Sequence, residues 1–163
     1  MRETDLQYLA CPHCHGALRI GAVRERDGER LQTAQLMCSA CAAEYPVVHG
    51  IPRFVPADNY AASFGWQWTR HAQTQLDSHS GLSVSRQRFF EETRWPACLD
   101  GQLILEVGSG AGRFTEPAAA TGAFVVSLDY SNAVEANYRS NGDQSNVCIV
   151  QGDVYRSGSP ALG

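Results

Sequence analysis

The chain has 163 residues, 44% of them hydrophobic and 18% charged, enough for one ordinary globular domain or a small domain joined to part of another. No apolar run approaches membrane-spanning length and no charged-then-apolar leader follows Met1, so neither a membrane span nor a secretory signal is read and a cytoplasmic location is expected. The formal charge of −4, with arginine as the only basic residue besides histidine, argues against the broad basic surface that drives nucleic-acid binding.

The amino-terminal stretch, residues 1–57, is a series of short strands and turns around two CxxC pairs, Cys11/Cys14 in "CPHC" and Cys38/Cys41 in "CSAC". Each CxxC turn aims two sulfurs at one centre while nearby backbone N–H groups can hydrogen-bond them. Two such turns joined by a hairpin make a closed tetrahedral set of four thiolates, the donor chemistry of structural zinc. The intervening "LRIGAVRERDGERLQTAQLM" supplies the hairpin, with two strand-like arms around the turn signal Asp27-Gly28. His13, His15 and His49 lie beside these turns and are expected at the surface, because four thiolates complete the shell. The remaining cysteines, Cys98 and Cys148, fall in segments that read as folded core.

Residues 58–100 are polar, aromatic and helix-leaning, with "FGWQW" at 64–68 and "SVSRQRFFEETRW" at 83–95. From residue 101 onward the texture becomes strand, glycine turn, helix, strand, helix, strand. "LILEV" reads as a buried strand and "GRFTEPAAATG" as a small-residue helix. "AFVVSLD" is the second strand, "SNAVEANYRSNG" a helix with Ser131 as N-cap, and "NVCIVQGD" the third strand. Apolar strands alternating with helices predict a parallel sheet covered on both faces.

The glycine turn "LEVGSGAGRF" concentrates the chemistry. Gly108, Gly110 and Gly112 let backbone approach a ligand, but Arg113 stands where a dinucleotide fingerprint needs its last glycine. Glu106, two residues before the first glycine, would repel a pyrophosphate and attract a cation. S-adenosylmethionine, with a sulfonium and an ammonium, suits that acid. Asp129 at the end of the second strand can accept from ribose hydroxyls, and Asp153 after the third can accept from an adenine amino group. All three acids fall at or near the carboxyl ends of parallel strands, the rim where open α/β sheets bind ligands.

Two resemblances follow from these residues. Residues 6–55, with the opening "LQYLACPHC" and the closing Tyr45, Pro46, Val47, Gly50, Ile51 and Pro52, resemble the zinc-ribbon domains related to tRNA-methyltransferase activator proteins, which implies a structural zinc. Residues 102–153 resemble class I S-adenosylmethionine-dependent methyltransferases on Glu106, Gly108, Gly110, Gly112, Asp129 and Asp153. Together they imply an α/β chain: a four-cysteine ribbon (1–57), a helical and aromatic linker (58–100), and a truncated Rossmann-like sheet holding the first three strands of the methyltransferase fold (101–163). "SFGWQWTRHAQTQLD" also resembles the linker of zinc-ribbon methyltransferases. Its Phe64, Trp66 and Trp68 fit packing over the cofactor and plain core packing equally well.

The family's sheet has seven strands, so the expectation is a fragment that keeps the cofactor half and lacks the acceptor-binding half. The implied activity is methyl transfer by in-line displacement at the sulfonium methyl carbon, with acceptor and catalytic residues unknown. A consequence expected of truncation is that "LILEV" and "AFVVSL" leave apolar faces uncovered and invite self-association. Two other readings stand beside the enzyme. One is a non-catalytic ribbon that docks a partner protein. The other is a zinc-containing RNA methyltransferase, disfavoured because arginines and acids balance in residues 1–57.

Overall fold

The computed structural model describes residues 1–56 and 76–155. Phe64, Trp66 and Trp68 lie outside the described residues, as do residues 156–163. The chain opens with a 3-10 helix, Glu3–Tyr8, followed by strands β1 (Leu18–Asp27), β2 (Arg30–Cys38), β3 (Glu44–Val48) and β4 (Ile51–Pro52). These form an antiparallel sheet in chain order. The hairpin turns at Gly28 and Glu29, as the Asp27-Gly28 signal predicts, with Asp27 opposite Arg30.

Helices α1 (Asp77–Ser80) and α2 (Val84–Thr93) precede strands β5 (Leu103–Val107), β6 (Phe124–Asp129) and β7 (Val147–Gln151), with α3 (Thr115–Ala119) and α4 (Val134–Asn141) as the crossovers. The three strands pair in parallel, in the order β5-β6-β7. Two helices depart from the sequence reading. α3 is a single short turn of helix, because Pro117 has no N–H to bond back to the preceding turn, so regular helix begins only at Thr115. α4 starts at Val134 behind Ala133, and the Ser131 hydroxyl instead accepts from the Ala133 N–H at 3.2 Å, capping the turn that precedes the helix.

The period-2 alternation of the strands divides the sheet's apolar side chains between two cores. On one face Ile104, Val125, Val147 and Ile149 pack against Phe89 of α2, Ala118 and Ala119 of α3, and Val134 of α4. On the other, Val126, Leu128, Cys148 and Val150 pack against Tyr8, Leu9 and Phe54 of the amino-terminal unit. Tyr8 stacks on Phe124 with ring centroids 4.2 Å apart. The expectation that "AFVVSL" lies uncovered is therefore corrected. Val125 and Val126 are fully or nearly fully buried, because the ribbon-like unit supplies the second cover. At about 1.5–3 kcal/mol for each buried aliphatic side chain, Val126, Leu128 and Val150 alone account for roughly 5–9 kcal/mol, as large as the net stability of a small domain. The amino-terminal unit is thus a wall of the parallel sheet.

Polar contacts fix that wall in place. Arg53 makes a parallel bridge to Gln151, and the Phe54 N–H donates to the Gln151 carbonyl at 2.8 Å, so the outer edge of β7 is met by the segment that follows β4. Arg30 pairs with Asp143 at 2.8 Å, and Arg2 donates to the Ser145 carbonyl at 3.1 Å. The outer edge of β5 has no strand partner among the described residues, and Leu105 (37%) and Val107 (50%) are exposed there. Cys148 is core, as expected. Cys98 is not: it is exposed, in the loop after α2, with its thiol 3.4 Å from Asp100 Oδ2.

Candidate functional site

The four CxxC sulfurs converge, all lying within 4.8 Å of one another. Cys14 and Cys38 Sγ are 3.4 Å apart, and Cys11 and Cys41 Sγ are 3.7 Å apart. A tetrahedron with metal–sulfur bonds of about 2.3 Å has edges of roughly 3.8 Å, so the donor set has the dimensions of a four-thiolate metal site. All four cysteines are free thiols. Burial disfavours the Cys11 thiolate, but the Tyr45 hydroxyl and the amides of Cys14 and His13 outweigh it and bring the thiol down to about 6. An amide from Gly16 favours ionised Cys14, yet the sulfurs of Cys41 and Cys38 prevail and push that thiol up to about 12. Four sulfurs so close cannot all ionise unless a cation sits among them. His13 and His15 are exposed and outside the cluster, and His49 instead reaches Glu135 of α4 at 3.4 Å. Tyr45 touches the cluster on one side, with its hydroxyl 3.2 Å from Cys11 Sγ, and packs edge-on against Phe54 on the other. The cluster is therefore one side chain removed from the sheet's apolar cover.

The second site lies at the carboxyl ends of β5–β7. An open cavity of about 260 Å³ is lined by Gly108, Asp129, Tyr130, Gly152, Asp153 and their neighbours. It brings together three sequence-predicted residues from three separate strand ends. The three glycines divide. A side chain built on Gly108 or Gly110 would meet open space, whereas one built on Gly112 would lie 2.1 Å from Asn137 Oδ1 and 2.5 Å from Asn141 Nδ2. Gly108 and Gly110 therefore keep backbone open on the side away from the protein, and Gly112 lets the turn close onto α4.

Asp129 organises the rim. Its Oδ2 accepts from the Gly110 N–H at 2.8 Å, and its Oδ1 accepts from the Ser131 N–H at 2.8 Å and hydroxyl at 2.7 Å. Asp153 sits half-buried across the cavity, with its Oδ1 accepting from the Tyr155 N–H at 2.9 Å. Glu106 turns inward: its Oε2 accepts from the hydroxyls of Thr115 at 2.5 Å and Ser127 at 2.9 Å. Burial holds its carboxyl above the ordinary glutamate range, against the pull of those two hydroxyls, and the Asp129 charge adds to the rise.

Beneath the glycine turn runs a polar network that local sequence reasoning missed. The Asn137 amide donates to Ser127 Oγ at 2.9 Å and Thr115 Oγ1 at 3.1 Å, and the Asn141 amide donates to Asn137 Oδ1 at 2.9 Å and to the Gly112 carbonyl at 3.2 Å. Thr115, Ser127, Asn137 and Asn141 are all buried. The hydroxyl protons point to Glu106, the Asn137 amide protons to the hydroxyls, and the Asn141 amide protons to Asn137 Oδ1 and the Gly112 carbonyl, so the donors of the network are satisfied. The i,i+4 spacing of the two asparagines was the available signal, since it places both on one helix face.

Residues 105–160 match a family model described as a methyltransferase domain. No curated protein sequence matches the chain significantly. Solved structures show similarity as well, and two of them serve as examples. One is Haemonchus contortus phosphoethanolamine N-methyltransferase 1, in complex with phosphoethanolamine and S-adenosylhomocysteine, at 23% identity and a TM-score of 0.41 over 56% of this chain. The other is a Methanococcus maripaludis protein assigned as an S-adenosyl-L-methionine-dependent methyltransferase, at 17% identity and a TM-score of 0.44 over 62% of this chain. The chain spans 20% of the first and 46% of the second. The family-model match supports a methyltransferase domain over residues 105–160, less than half of the chain. No described helix is long and apolar enough to cross a membrane.

Proposed function

We propose that this chain carries the S-adenosylmethionine-binding part of a methyltransferase, braced by a structural zinc ribbon. The observation that carries the reading is the meeting of Gly108, Asp129 and Asp153, from three strand ends, around one open cavity. The proposed division is a ribbon over residues 1–57, a linker over 58–100 and the cofactor-binding portion over 101–163. Zinc would be held by Cys11, Cys14, Cys38 and Cys41, whose all-sulfur shell leaves no open position and so suits a scaffold role. The acceptor stays unassigned, and so do catalytic residues.

The groups present fit the cofactor. Gly108 and Gly110 offer backbone with open space in front of it, a cradle that side chains would fill. A carboxylate has about four acceptor positions. Gly110 and Ser131 occupy three on Asp129, leaving one on Oδ2, and rotation of the Ser131 hydroxyl frees a second. Asp129 can thus receive both ribose hydroxyls without moving its backbone. Asp153 would accept from the adenine amino group. Glu106, held from behind by Thr115 and Ser127, contributes negative charge beneath the turn, where the cationic end of the ligand would lie. Gly112 serves indirectly, by letting the turn seat on Asn137 and Asn141. The bound cofactor would supply an activated methyl group on a sulfonium, and these residues bind and orient it.

The test is amide chemical-shift perturbation on adding S-adenosylhomocysteine to the full chain, a method that detects weak binding. Saturable shifts are expected at Gly108, Gly110, Asp129 and Asp153. Asp129→Ala should weaken binding about tenfold to a hundredfold, the loss expected for a charge-assisted hydrogen bond. Shifts confined to other residues, or an affinity indifferent to Asp129→Ala, would overturn the assignment.

A further inference from the structure

Arg53 belongs to the ribbon unit by sequence yet ends next to the cofactor rim. Its side chain is 11% exposed. Its Nη1 donates to Gln151 Oε1 at 2.7 Å, and its Nη2 pairs with Glu135 of α4. Gln151 is 4% exposed and stands beside Asp129 in the sheet register. The Gln151 amide then donates from Nε2 to the Tyr130 carbonyl at 3.0 Å and to Asn132 Oδ1 at 3.1 Å. Those residues flank Ser131, whose N–H and hydroxyl both hold Asp129 Oδ1.

Donor and acceptor identities make this chain directional. A guanidinium can only donate, so Gln151 must turn its oxygen toward Arg53. A backbone carbonyl can only accept, so the Gln151 nitrogen must face Tyr130. Arg53 and the Tyr130 carbonyl therefore enforce the same amide orientation from its two ends, and Arg53 anchors the oxygen end so that the nitrogen end ties down the residue 130–132 loop. Without it, Gln151 Oε1 is a buried acceptor without its donor and the half-buried Glu135 keeps only His49, so the amide is held from the Tyr130 side alone and its grip on the loop loosens.

We propose that Arg53 is a positioning residue for the cofactor site, acting through Gln151 to set the Tyr130–Ser131–Asn132 loop that orients Asp129. The proposal rests on the reading of Asp129 as the ribose acid. It makes the ribbon a structural part of the cofactor site, since the Arg53 backbone is held by the Arg53 N–H to Pro46 carbonyl bond of 2.9 Å within the ribbon.

Two variants of the full chain separate docking from positioning. Arg53→Ala removes both. Gln151→Glu keeps an acceptor for Arg53, while its carboxylate can no longer donate to Tyr130 or Asn132. Amide hydrogen exchange should show Ser131 and Ala133 exchanging at least about tenfold faster in both variants, with β2 amides unchanged. In Gln151→Glu the Phe54 amide, which reports docking, should remain protected. Affinity for S-adenosylhomocysteine should fall roughly threefold to tenfold in both, in line with one lost hydrogen bond. Unchanged exchange at Ser131 and Ala133 in Gln151→Glu would overturn the proposal, as would loop loosening in Arg53→Ala only when Phe54 protection is also lost. If the loop responds while wild-type chain shows no S-adenosylhomocysteine shifts, the positioning stands and the ribose reading fails.

Discussion

Gly112→Ala offers a quantitative test of how the glycine turn is held. Gly112 has φ of +88°, where a side chain costs backbone strain of about 1–3 kcal/mol. The added methyl carbon would sit 2.1 Å from Asn137 Oδ1 and 2.5 Å from Asn141 Nδ2, inside any allowed contact. Neither asparagine can swing aside cheaply. Both are buried, and Asn137 is committed to Thr115 and Ser127 while Asn141 holds the Gly112 carbonyl. Displacing even one amide leaves a buried polar group unpaired at about 1–3 kcal/mol. The sum is roughly 2–6 kcal/mol, a large share of the ~5–15 kcal/mol that holds a typical domain together. Gly110→Ala is the control. Its φ of +54° lies in the left-handed region and its side chain would meet open space, so only about 1–2 kcal/mol of backbone cost applies. Urea denaturation followed by circular dichroism would measure both. Gly112→Ala should lower the midpoint far more than Gly110→Ala, while Gly110→Ala, whose methyl would project into open space beside the turn, should weaken S-adenosylhomocysteine binding at small cost in stability. Equal losses of stability in the two variants would refute the account, because the Asn137–Asn141 collision would then contribute nothing.

Metal analysis of purified protein should give about one zinc per chain, lost in Cys38→Ala. Because Tyr45 and Phe54 link the cluster to the sheet's cover, removing the metal with a chelator should lower the melting temperature of the whole chain; an unchanged melt after complete metal loss would sink that link. A pH dependence follows from Glu106, whose carboxyl is held above the ordinary glutamate range by burial. A cationic ligand favours the ionised form, so binding releases a proton and affinity should fall as pH falls through that raised value, beginning above the ordinary glutamate range. Titration calorimetry across the acidic range should show this for the wild type and lose most of it in Glu106→Gln. The same sign argument for folding runs oppositely: an acid with a raised folded pKa contributes stability at low pH that disappears as pH rises through it, so Glu106→Gln should not destabilise near neutral pH.

Much of this protein is written locally. The spacing of two CxxC pairs around Asp27-Gly28 was enough to place four sulfurs together, since a two-residue turn and antiparallel register leave the turns few other arrangements. The apolar strands with acids at their ends were enough to indicate a parallel sheet with Asp129 and Asp153 at one rim, because side-chain alternation and βαβ connection are local rules. Other features came only from the fold. Nothing near Val126 or Val150 says that Tyr8 and Phe54 will cover them, since apolar faces are interchangeable and their partner is chosen by packing across 72 to 142 residues of sequence. The separate duties of Gly110 and Gly112 look identical in the sequence and diverge because one faces open space and the other faces α4. The inward turn of Glu106 and the route from Arg53 to Asp129 were likewise invisible. Hydrogen-bond partners between distant segments are fixed by three-dimensional proximity and by which groups can donate or accept, and neither leaves a periodic trace along the chain.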